Sequence, residues 1–116
     1  MTVVCDTSPL LLLARADRLH LLRASYSTVV VPDEVLQGIR VQQDTPARDI
    51  QAYTKHPHVQ RMEARDEMLR EVEETMGAGE RAAIAIARDL GADLVALDDE
   101  WTMNRGVKKR GGMDSM

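Results

Sequence analysis

The chain has 116 residues, a formal net charge of −4, 44% hydrophobic residues, 3% aromatic residues and no phenylalanine. This length fits one domain that buries its core without disulfides or structural metals, and the scarcity of aromatic residues means that the core must be aliphatic. The negative charge excludes a protein that coats nucleic acid through a general surplus of Lys and Arg, so any nucleic-acid contact must be local.

Neither the cysteine content nor the apolar segments indicate export. Cys5 is the only cysteine, so it forms no internal disulfide, and its place in a predicted strand favours a packing role in a reducing compartment. The apolar run at residues 10–14 is too short for a signal peptide and follows an aspartate instead of a basic segment. We therefore expect a cytoplasmic protein with no membrane span.

A short apolar strand at residues 2–5 opens the chain and ends at Asp6. The run is too short for a helix and apolar throughout, which is typical of a strand buried on both faces. Ser8 and Pro9 predict the helix that follows, with Ser8 as the N-cap and Pro9 at the first helical position. Asp17 predicts the cap of a second short helix.

A second strand is predicted at residues 27–31, where β-branched residues follow one another. Pro32 begins another helix, and its apolar residues have the spacing of one face packed on a sheet: Val35, Leu36 and Ile39. A polar helix is predicted at residues 45–54 and a short strand at residues 58–62.

The next segment is rich in charged residues, and a regular helical pattern follows it. We predict a charged helix at residues 63–76 and a break at residues 77–79, where two glycines flank an alanine. The most regular helix of the chain is predicted at residues 80–90, and Gly91 closes it at the C′ position.

A second strand, at residues 92–97 and apolar from Leu94 onward, runs directly into Asp98 and Asp99. Residues 99–110 predict a last helix, which Gly106 weakens. Strands that alternate with helices at this spacing predict an α/β fold with a mainly parallel sheet.

Carboxylates stand where the apolar strands stop and where the helices begin. Parallel strands point their carboxyl ends to one edge of the sheet, and the amino ends of the connecting helices lie at that same edge. Crowded carboxylates repel one another, and a hard divalent cation such as Mg²⁺ or Mn²⁺ usually resolves the repulsion. We therefore predict a metal site built from the following residues: Asp6, Asp33, Glu34, Glu80, Asp98 and Asp99.

Each carboxylate also has a structural alternative. An acid in the first turn of a helix stabilises the helix dipole by about 0.3–1 kcal/mol. Asp6 is harder to explain in this way, because Thr7 and Ser8 already offer caps for the first helix, and the set as a whole favours a metal. Taken one at a time, four of the residues are explained by the dipole: Asp33, Glu34, Glu80 and Asp99.

Four segments carry a pattern in a fixed order: DTSPL at 6–10, VVVPDEV at 29–35, GERAAIAIA at 79–87 and GADLVALDD at 91–99. Together they resemble the PIN-domain proteins, and most of all a PIN-like prokaryotic subgroup of predicted nucleic-acid-binding proteins related to the VapC toxins. The resemblance implies a PIN-like domain at residues 1–110 with a short tail at residues 111–116. It also implies a three-layer α/β/α sandwich around a mainly parallel central sheet.

The same resemblance implies a Mg²⁺- or Mn²⁺-dependent ribonuclease, with RNA as its substrate and a small antitoxin protein as its partner in a toxin–antitoxin pair. Carried over by position, Asp6 is the central metal ligand. Asp98 and Asp99 complete the shell directly or through water, and Glu80 orients a water or holds a second ion. All four are therefore the predicted catalytic residues.

Two departures from the family pattern affect this interpretation. The subgroup usually has a glutamate six residues after the proline that begins the second-strand helix, and Gly38 stands there in this chain. Glu34 lies one helical turn earlier on the same face, and we predict that it substitutes as a ligand through metal or water. Relatives also continue into a further strand and helices, so we expect a sheet without its C-terminal edge strand. The exposed edge then predicts either a homodimer or a sheet completed by a partner chain.

These departures leave a second function open, namely a PIN-like module that binds RNA or a protein partner without cleaving it. A predicted RNA-facing helix supports either function, with Trp101 as a stacking surface. Trp101 packing on the sheet margin, with the basic residues serving the helix dipole, explains the same residues equally well. The basic residues of this helix are Arg105, Lys108, Lys109 and Arg110.

Two other sites fit the sequence less well. The segment His56-Pro57-His58 offers two possible metal ligands, but no Cys or third His is nearby in the sequence, so a solvated loop is the better interpretation. A phospho-receiver pocket requires an acid pair on the first strand and a lysine at a late strand end, and the sequence has neither.

Overall fold

The structure is a computed structural model, and it describes residues 1–72, 77–97 and 100–103. Its strands form one sheet in the order β3-β2-β1-β4-β5. The first four of these are parallel, and β5 runs antiparallel to β4. The strands are β1 Thr2–Cys5, β2 Thr28–Pro32, β3 Val59–Met62, β4 Leu94–Leu97 and β5 Glu100–Met103.

The helices within the described residues connect the parallel strands and cover both faces of the sheet. A parallel pair of strands needs such a crossover, because the chain must return to the edge at which it began. The helices are α1 Thr7–Arg15, α2 His20–Ser25, α3 Asp33–Arg40, α4 Thr45–Tyr53, α5 Asp66–Leu69 and α6 Ala78–Leu90.

Two hydrophobic cores lie on the two faces of the sheet. Val3 and Val29 point to the core that contains the apolar residues of α1 to α4. Val4 and Val30 point to the other core, which contains the apolar residues of α6. Successive residues of a strand face opposite sides, so a strand covered on both faces must be apolar at every position. The predicted α/β/α sandwich with a mainly parallel sheet is therefore confirmed, and β1 lies at its centre.

Several predicted elements are present with their predicted contacts. Helix α3 buries the three residues expected to face the sheet, and α4 begins after Asp44, whose side chain accepts a hydrogen bond from the Ala47 N–H at 3.0 Å. Helix α6 ends at Gly91, which has the positive φ of 67° that favours glycine. In contrast, Asp17 does not cap α2; it takes a φ of 57° in the turn that precedes this helix.

The long charged helix predicted at residues 63–76 is wrong in the part that the structure describes. Only Asp66–Leu69 is helical there. The Arg81 guanidinium of α6 donates hydrogen bonds to the backbone carbonyls of Leu69, at 2.6 Å, and Val72, at 3.2 Å. These carbonyls are therefore satisfied by a tertiary contact, which a helical pattern in the sequence does not reveal.

The end of the described chain also differs from the prediction. Residues 100–103 form strand β5 instead of the start of a helix, with Trp101 paired with Ala96. We predicted that the sheet lacks a C-terminal edge strand. The structure has one beside β4, namely β5, which is antiparallel to it. Aromatic and β-branched residues favour strands, and β4 offers them a free edge for pairing. No helix in the described ranges is long and apolar enough to cross a bilayer.

Candidate functional site

Asp6 stands at the carboxyl end of the central strand and is only 8% exposed. Its backbone N–H donates to the Ala96 carbonyl at 2.9 Å, so the contact between β1 and β4 continues to the end of the strand. Its Oδ1 accepts a hydrogen bond from the Thr7 N–H at 2.7 Å, which makes Asp6 the N-cap of α1. The prediction that Ser8 caps α1 was wrong. Asp6 is the cap instead, and this role fixes its carboxylate at the sheet edge.

Gly79, in the first turn of α6, lies directly against this carboxylate. A Cβ added to Gly79 would be 2.8 Å from the Asp6 Oδ1, 3.2 Å from a Val35 methyl group and 3.5 Å from the Thr7 hydroxyl. No ordinary side chain fits such a space without movement of a neighbour. The amino end of α6 therefore approaches Asp6 as closely as it does because residue 79 has no side chain.

The same contact brings three helix starts together at one edge of the sheet. Asp6 caps α1, Val35 belongs to the first turn of α3, and Gly79 belongs to the first turn of α6. Glu80 follows Gly79 in the chain and is half-buried, as are Asp33 and Glu34 in the first turn of α3. The predicted convergence of helix starts on the carboxyl end of β1 is therefore present.

Glu34 has an unsatisfied polar atom at this edge. Its Oε1 is buried and has no hydrogen-bond partner among the residues that the structure describes. A buried carboxylate oxygen without a partner is costly, and such atoms in a native protein usually indicate a bound ion, water or ligand. Gly38, one turn later, is exposed, and a Cβ added there meets nothing within 4 Å.

Asp98 and Asp99 lie outside the described residues. Strand β4, which ends at Leu97, pairs with β1 so that Ala96 is opposite Cys5. The described part of the chain alone contains no group of three or more His, Cys, Asp or Glu residues placed to hold a metal. The complete predicted ligand set therefore stays a prediction.

One observation fits a hard divalent cation at this edge, namely the buried Oε1 of Glu34, which has no hydrogen-bond partner among the described residues. The donors available are carboxylate oxygens, which are the ligands that Mg²⁺ and Mn²⁺ prefer. The residues that the structure describes thus fit the cation that the family implies, without supplying its whole coordination shell.

The predicted RNA-facing helix is not placed by the structure as we expected. Trp101 lies in β5, and the basic residues proposed to accompany it fall outside the described ranges: Arg105, Lys108, Lys109 and Arg110. Their proposed RNA contacts stay a prediction.

Cys5 precedes Asp6 and is fully buried, with no disulfide, as predicted. Burial first, and then the negative charge of Asp6, raise the pKa of the Cys5 thiol to about 12. A thiol with so high a pKa carries almost no thiolate at neutral pH, so Cys5 contributes packing and no nucleophile.

His56 and His58 lie at the opposite, amino end of β3, where they pack with Tyr53. The Tyr53 hydroxyl is 2.7 Å from the His58 Nε2, and the centroids of the three rings are 5.3–5.7 Å apart. Burial lowers the pKa of His58, and the charges of Arg23 and His56 lower it further. The two histidines thus belong to a ring cluster, and the ranges described include no three-residue metal group there.

Comparisons with known proteins agree with this architecture. The model of a family described as PIN domain matches residues 2–112. The fold is similar to the crystal structure of Mycobacterium tuberculosis VapC20, a sarcin–ricin loop cleaving toxin, with a TM-score of 0.63 and 18% identity over 84% of this chain and 91% of that one. It is also similar to VapBC2 from Rickettsia felis bound to a DNA fragment from their promoter, with a TM-score of 0.53 and 11% identity over 79% and 84% of the two chains. Comparison with curated proteins gives no match.

Proposed function

Because the chain belongs to the PIN-domain family, we propose that it is a Mg²⁺- or Mn²⁺-dependent endoribonuclease and the toxin of a toxin–antitoxin pair. The observation that carries the proposal is the buried Asp6 carboxylate at the end of the central strand, with the amino end of α6 packed against it. The similarity of the fold to VapC20, a toxin that cleaves the sarcin–ricin loop, supports RNA as the substrate.

In this proposal Asp6, Glu34 and Glu80 hold the cation, and Asp98 and Asp99 complete the shell. A divalent cation bound there supplies charge neutralisation at the phosphate and lowers the pKa of a water. The chain contributes the placement of these oxygens. The N-cap bond to the Thr7 N–H fixes the Asp6 carboxylate, and the positive end of the α6 dipole stabilises negative charge beside it. In this proposal Glu80, in the first turn of α6, orients a water for attack on the phosphodiester.

Asp6→Asn tests the proposal. Asparagine is as good an N-cap as aspartate, so the variant keeps the start of α1 while it removes the charge. In the wild type, Mn²⁺ at one hundred times its dissociation constant adds about 2.7 kcal/mol of stability, which is measurable as a rise in melting temperature. We expect Asp6→Asn to abolish this rise, together with cleavage of an RNA hairpin that contains the sarcin–ricin loop. A full Mn²⁺-dependent rise in the variant would refute Asp6 as a metal ligand.

A second candidate function is RNA binding without cleavage. It is favoured by Gly38, since the position at which the family usually has a glutamate has no side chain here. The same measurements separate the two functions. A Mn²⁺-dependent rise in melting temperature with RNA binding but no cleavage would establish the second, and cleavage that requires Asp6 would establish the first.

The proposed partners follow from the same relatives. VapBC2 supports a small antitoxin as partner, and the two edge strands of the sheet, β3 and β5, support a homodimer. Light scattering of the purified chain tests the homodimer, for which we expect twice the mass of 12.9 kDa. The monomer mass at micromolar concentration would contradict it.

A further inference from the structure

A groove of about 470 Å³ lies between α3 and α4, above the edge strand β3. Its volume is in the range of about 300–1,000 Å³ that is usual for ligand sites. One apolar, two polar and three cationic side chains line it. The lining residues are Leu36, Arg40, Gln51, Thr54, Lys55 and Arg61.

The three cations of this groove, Arg40, Lys55 and Arg61, are all exposed, and no carboxylate lines it. Within the described part of the chain, their side chains take part in no ion pair and no hydrogen bond. Three unpaired positive charges around one cavity repel each other, so an anion bound between them is favoured by each of them.

The surrounding sequence strengthens this charge. Residues 50–62 contain no Asp or Glu, although the chain as a whole has 19 acidic residues and a net charge of −4. A second cavity is lined by Arg23, but the histidines beside it add no positive charge to the groove, since burial and neighbouring charges lower the pKa of His58. The basic region is thus local, as the composition requires of any nucleic-acid contact in this chain.

One residue of the groove, Arg61, lies near the carboxyl ends of the strands, at the candidate catalytic edge. Arg61 pairs with Val31, one residue before β2 ends at Pro32. Strand β3 is two strands away from β1, at whose end Asp6 stands, which is a backbone distance of about 10 Å across the sheet. A short stretch of extended RNA spans this distance.

We propose that this groove binds phosphates of the RNA backbone on the β3 side of the cleavage site. The proposal rests on the proposed function, since it assigns a binding surface for the same substrate. Arg40, Lys55 and Arg61 contact phosphate oxygens, and Arg61, one residue before the carboxyl end of β3, holds the strand on the side of the sheet edge where Asp6 stands. Contacts of this kind position RNA without reading its sequence.

The helix dipole does not account for the three residues together. Arg40 lies in the last turn of α3, where a positive charge stabilises the helix. Lys55 directly follows the C-cap of α4 and is explained in the same way, whereas Arg61 belongs to a strand and is not. Arg15 lies in the last turn of α1 and does not line the groove, which makes it a suitable control.

The test compares two triple variants with the same net charge. The groove variant carries Arg40→Gln, Lys55→Gln and Arg61→Gln, and the control carries Arg15→Gln, Arg48→Gln and Arg70→Gln, three exposed cations outside the groove. Binding of a labelled single-stranded RNA is measured in EDTA between 50 and 300 mM KCl, and thermal melting verifies that both variants fold. Because cleavage is not needed for this measurement, its result is independent of whether the chain is a nuclease.

We expect the groove variant to lower the slope of log K against log salt by about 2, since each phosphate contact contributes about 0.7 to the slope for single-stranded nucleic acid. We also expect it to weaken RNA binding at 50 mM KCl roughly a hundredfold. The control should keep the wild-type slope. Equal slopes for both variants would overturn the proposal, and so would poly-glutamate that binds as tightly as RNA and with the same dependence on the groove.

If the wild type cleaves RNA, the groove variant should raise KM with little change in kcat. A fall in kcat with KM unchanged would overturn the assignment of these residues to binding.

Discussion

At the scale of single residues, Asp6 combines two roles that usually occur in different side chains. It caps α1 through the Thr7 N–H, and it presents a nearly buried carboxylate to the edge where α3 and α6 begin. The cap restrains the side chain, so little conformational entropy is left to lose when a cation or substrate binds. The capping role of Asp6 is therefore compatible with its proposed role as a metal ligand.

Gly79→Ala tests how closely α6 must approach Asp6. The new methyl group would lie 2.8 Å from the Asp6 Oδ1, so either the carboxylate or the helix start must move. A displacement of about 1 Å at a catalytic group costs up to about a hundredfold in rate. We expect RNA cleavage to fall at least tenfold.

The matched control for this change is Gly77→Ala, because a Cβ at Gly77 meets nothing within 4 Å. It should keep the wild-type cleavage rate, even if the loss of a glycine N-cap lowers stability slightly. Equal rates for the two alanine variants would show that the contact between Gly79 and Asp6 is not needed for activity.

Glu34 and Asp33 are neighbours in the first turn of α3, so the helix dipole stabilises the negative charge of both to a similar extent. Only Glu34 has a buried oxygen without a partner among the described residues. We expect Glu34→Gln to weaken Mn²⁺ binding about tenfold or more, as removal of a supporting carboxylate does in other metal sites, and Asp33→Asn to leave it unchanged. Isothermal titration with Mn²⁺ measures both, and equal affinities would leave Glu34 with the dipole role alone.

At the scale of elements, α6 connects the two parts of the molecule that the candidate site requires. Its amino end lies against Asp6, and its apolar residues fill one of the two cores. Arg81 and Arg88 of the same helix donate hydrogen bonds to backbone carbonyls of the segment at residues 69–72. Helix α6 thereby fixes a segment whose own sequence does not form the predicted long helix.

Replacing glycine by alanine should change the free energy of unfolding in opposite directions at the end of α6 and inside α3. Gly91 has a φ of 67°, which an alanine adopts only at a cost, so Gly91→Ala should lower the free energy of unfolding by about 1 kcal/mol. Gly38 lies inside α3 with open space around it, and Gly38→Ala should raise the free energy of unfolding by about 0.5–1 kcal/mol. Urea titrations of both variants measure this, and changes of the same sign would contradict the assigned conformations.

At the scale of the whole molecule, the protein is held together by two aliphatic cores on a sheet whose central strand has every side chain from Val3 to Cys5 buried. The Cys5 thiol is inside this arrangement, and its pKa is raised to about 12, chiefly by burial. The folded protein therefore retains a proton that the unfolded chain releases above its ordinary thiol pKa of about 8.5.

This difference in proton binding makes stability depend on alkaline pH. The stabilisation is complete below the thiol pKa of the unfolded chain and is lost as pH rises toward 12, with a slope of up to about 1.4 kcal/mol per pH unit. We expect the free energy of unfolding to fall between pH 8 and pH 10 in the wild type. It should fall much less over this range in Cys5→Ala, after a constant offset for the smaller side chain, and the fall that remains near pH 10 comes from Tyr26 and Tyr53, whose pKa values burial also raises. Parallel curves for the two proteins would contradict a buried neutral thiol.

The sequence by itself determined the alternation of strands and helices, and with it the parallel sheet and the edge at which the helices begin. This was possible because apolar runs and helix caps are local patterns, and parallel connections leave few topologies. The tertiary structure alone decided three other features: the short α5, the strand at residues 100–103 and the contact of Gly79 with Asp6. Each depends on a partner distant in sequence, namely the Arg81 guanidinium, the free edge of β4 and the carboxylate at the end of β1, and local patterns carry no information about distant partners.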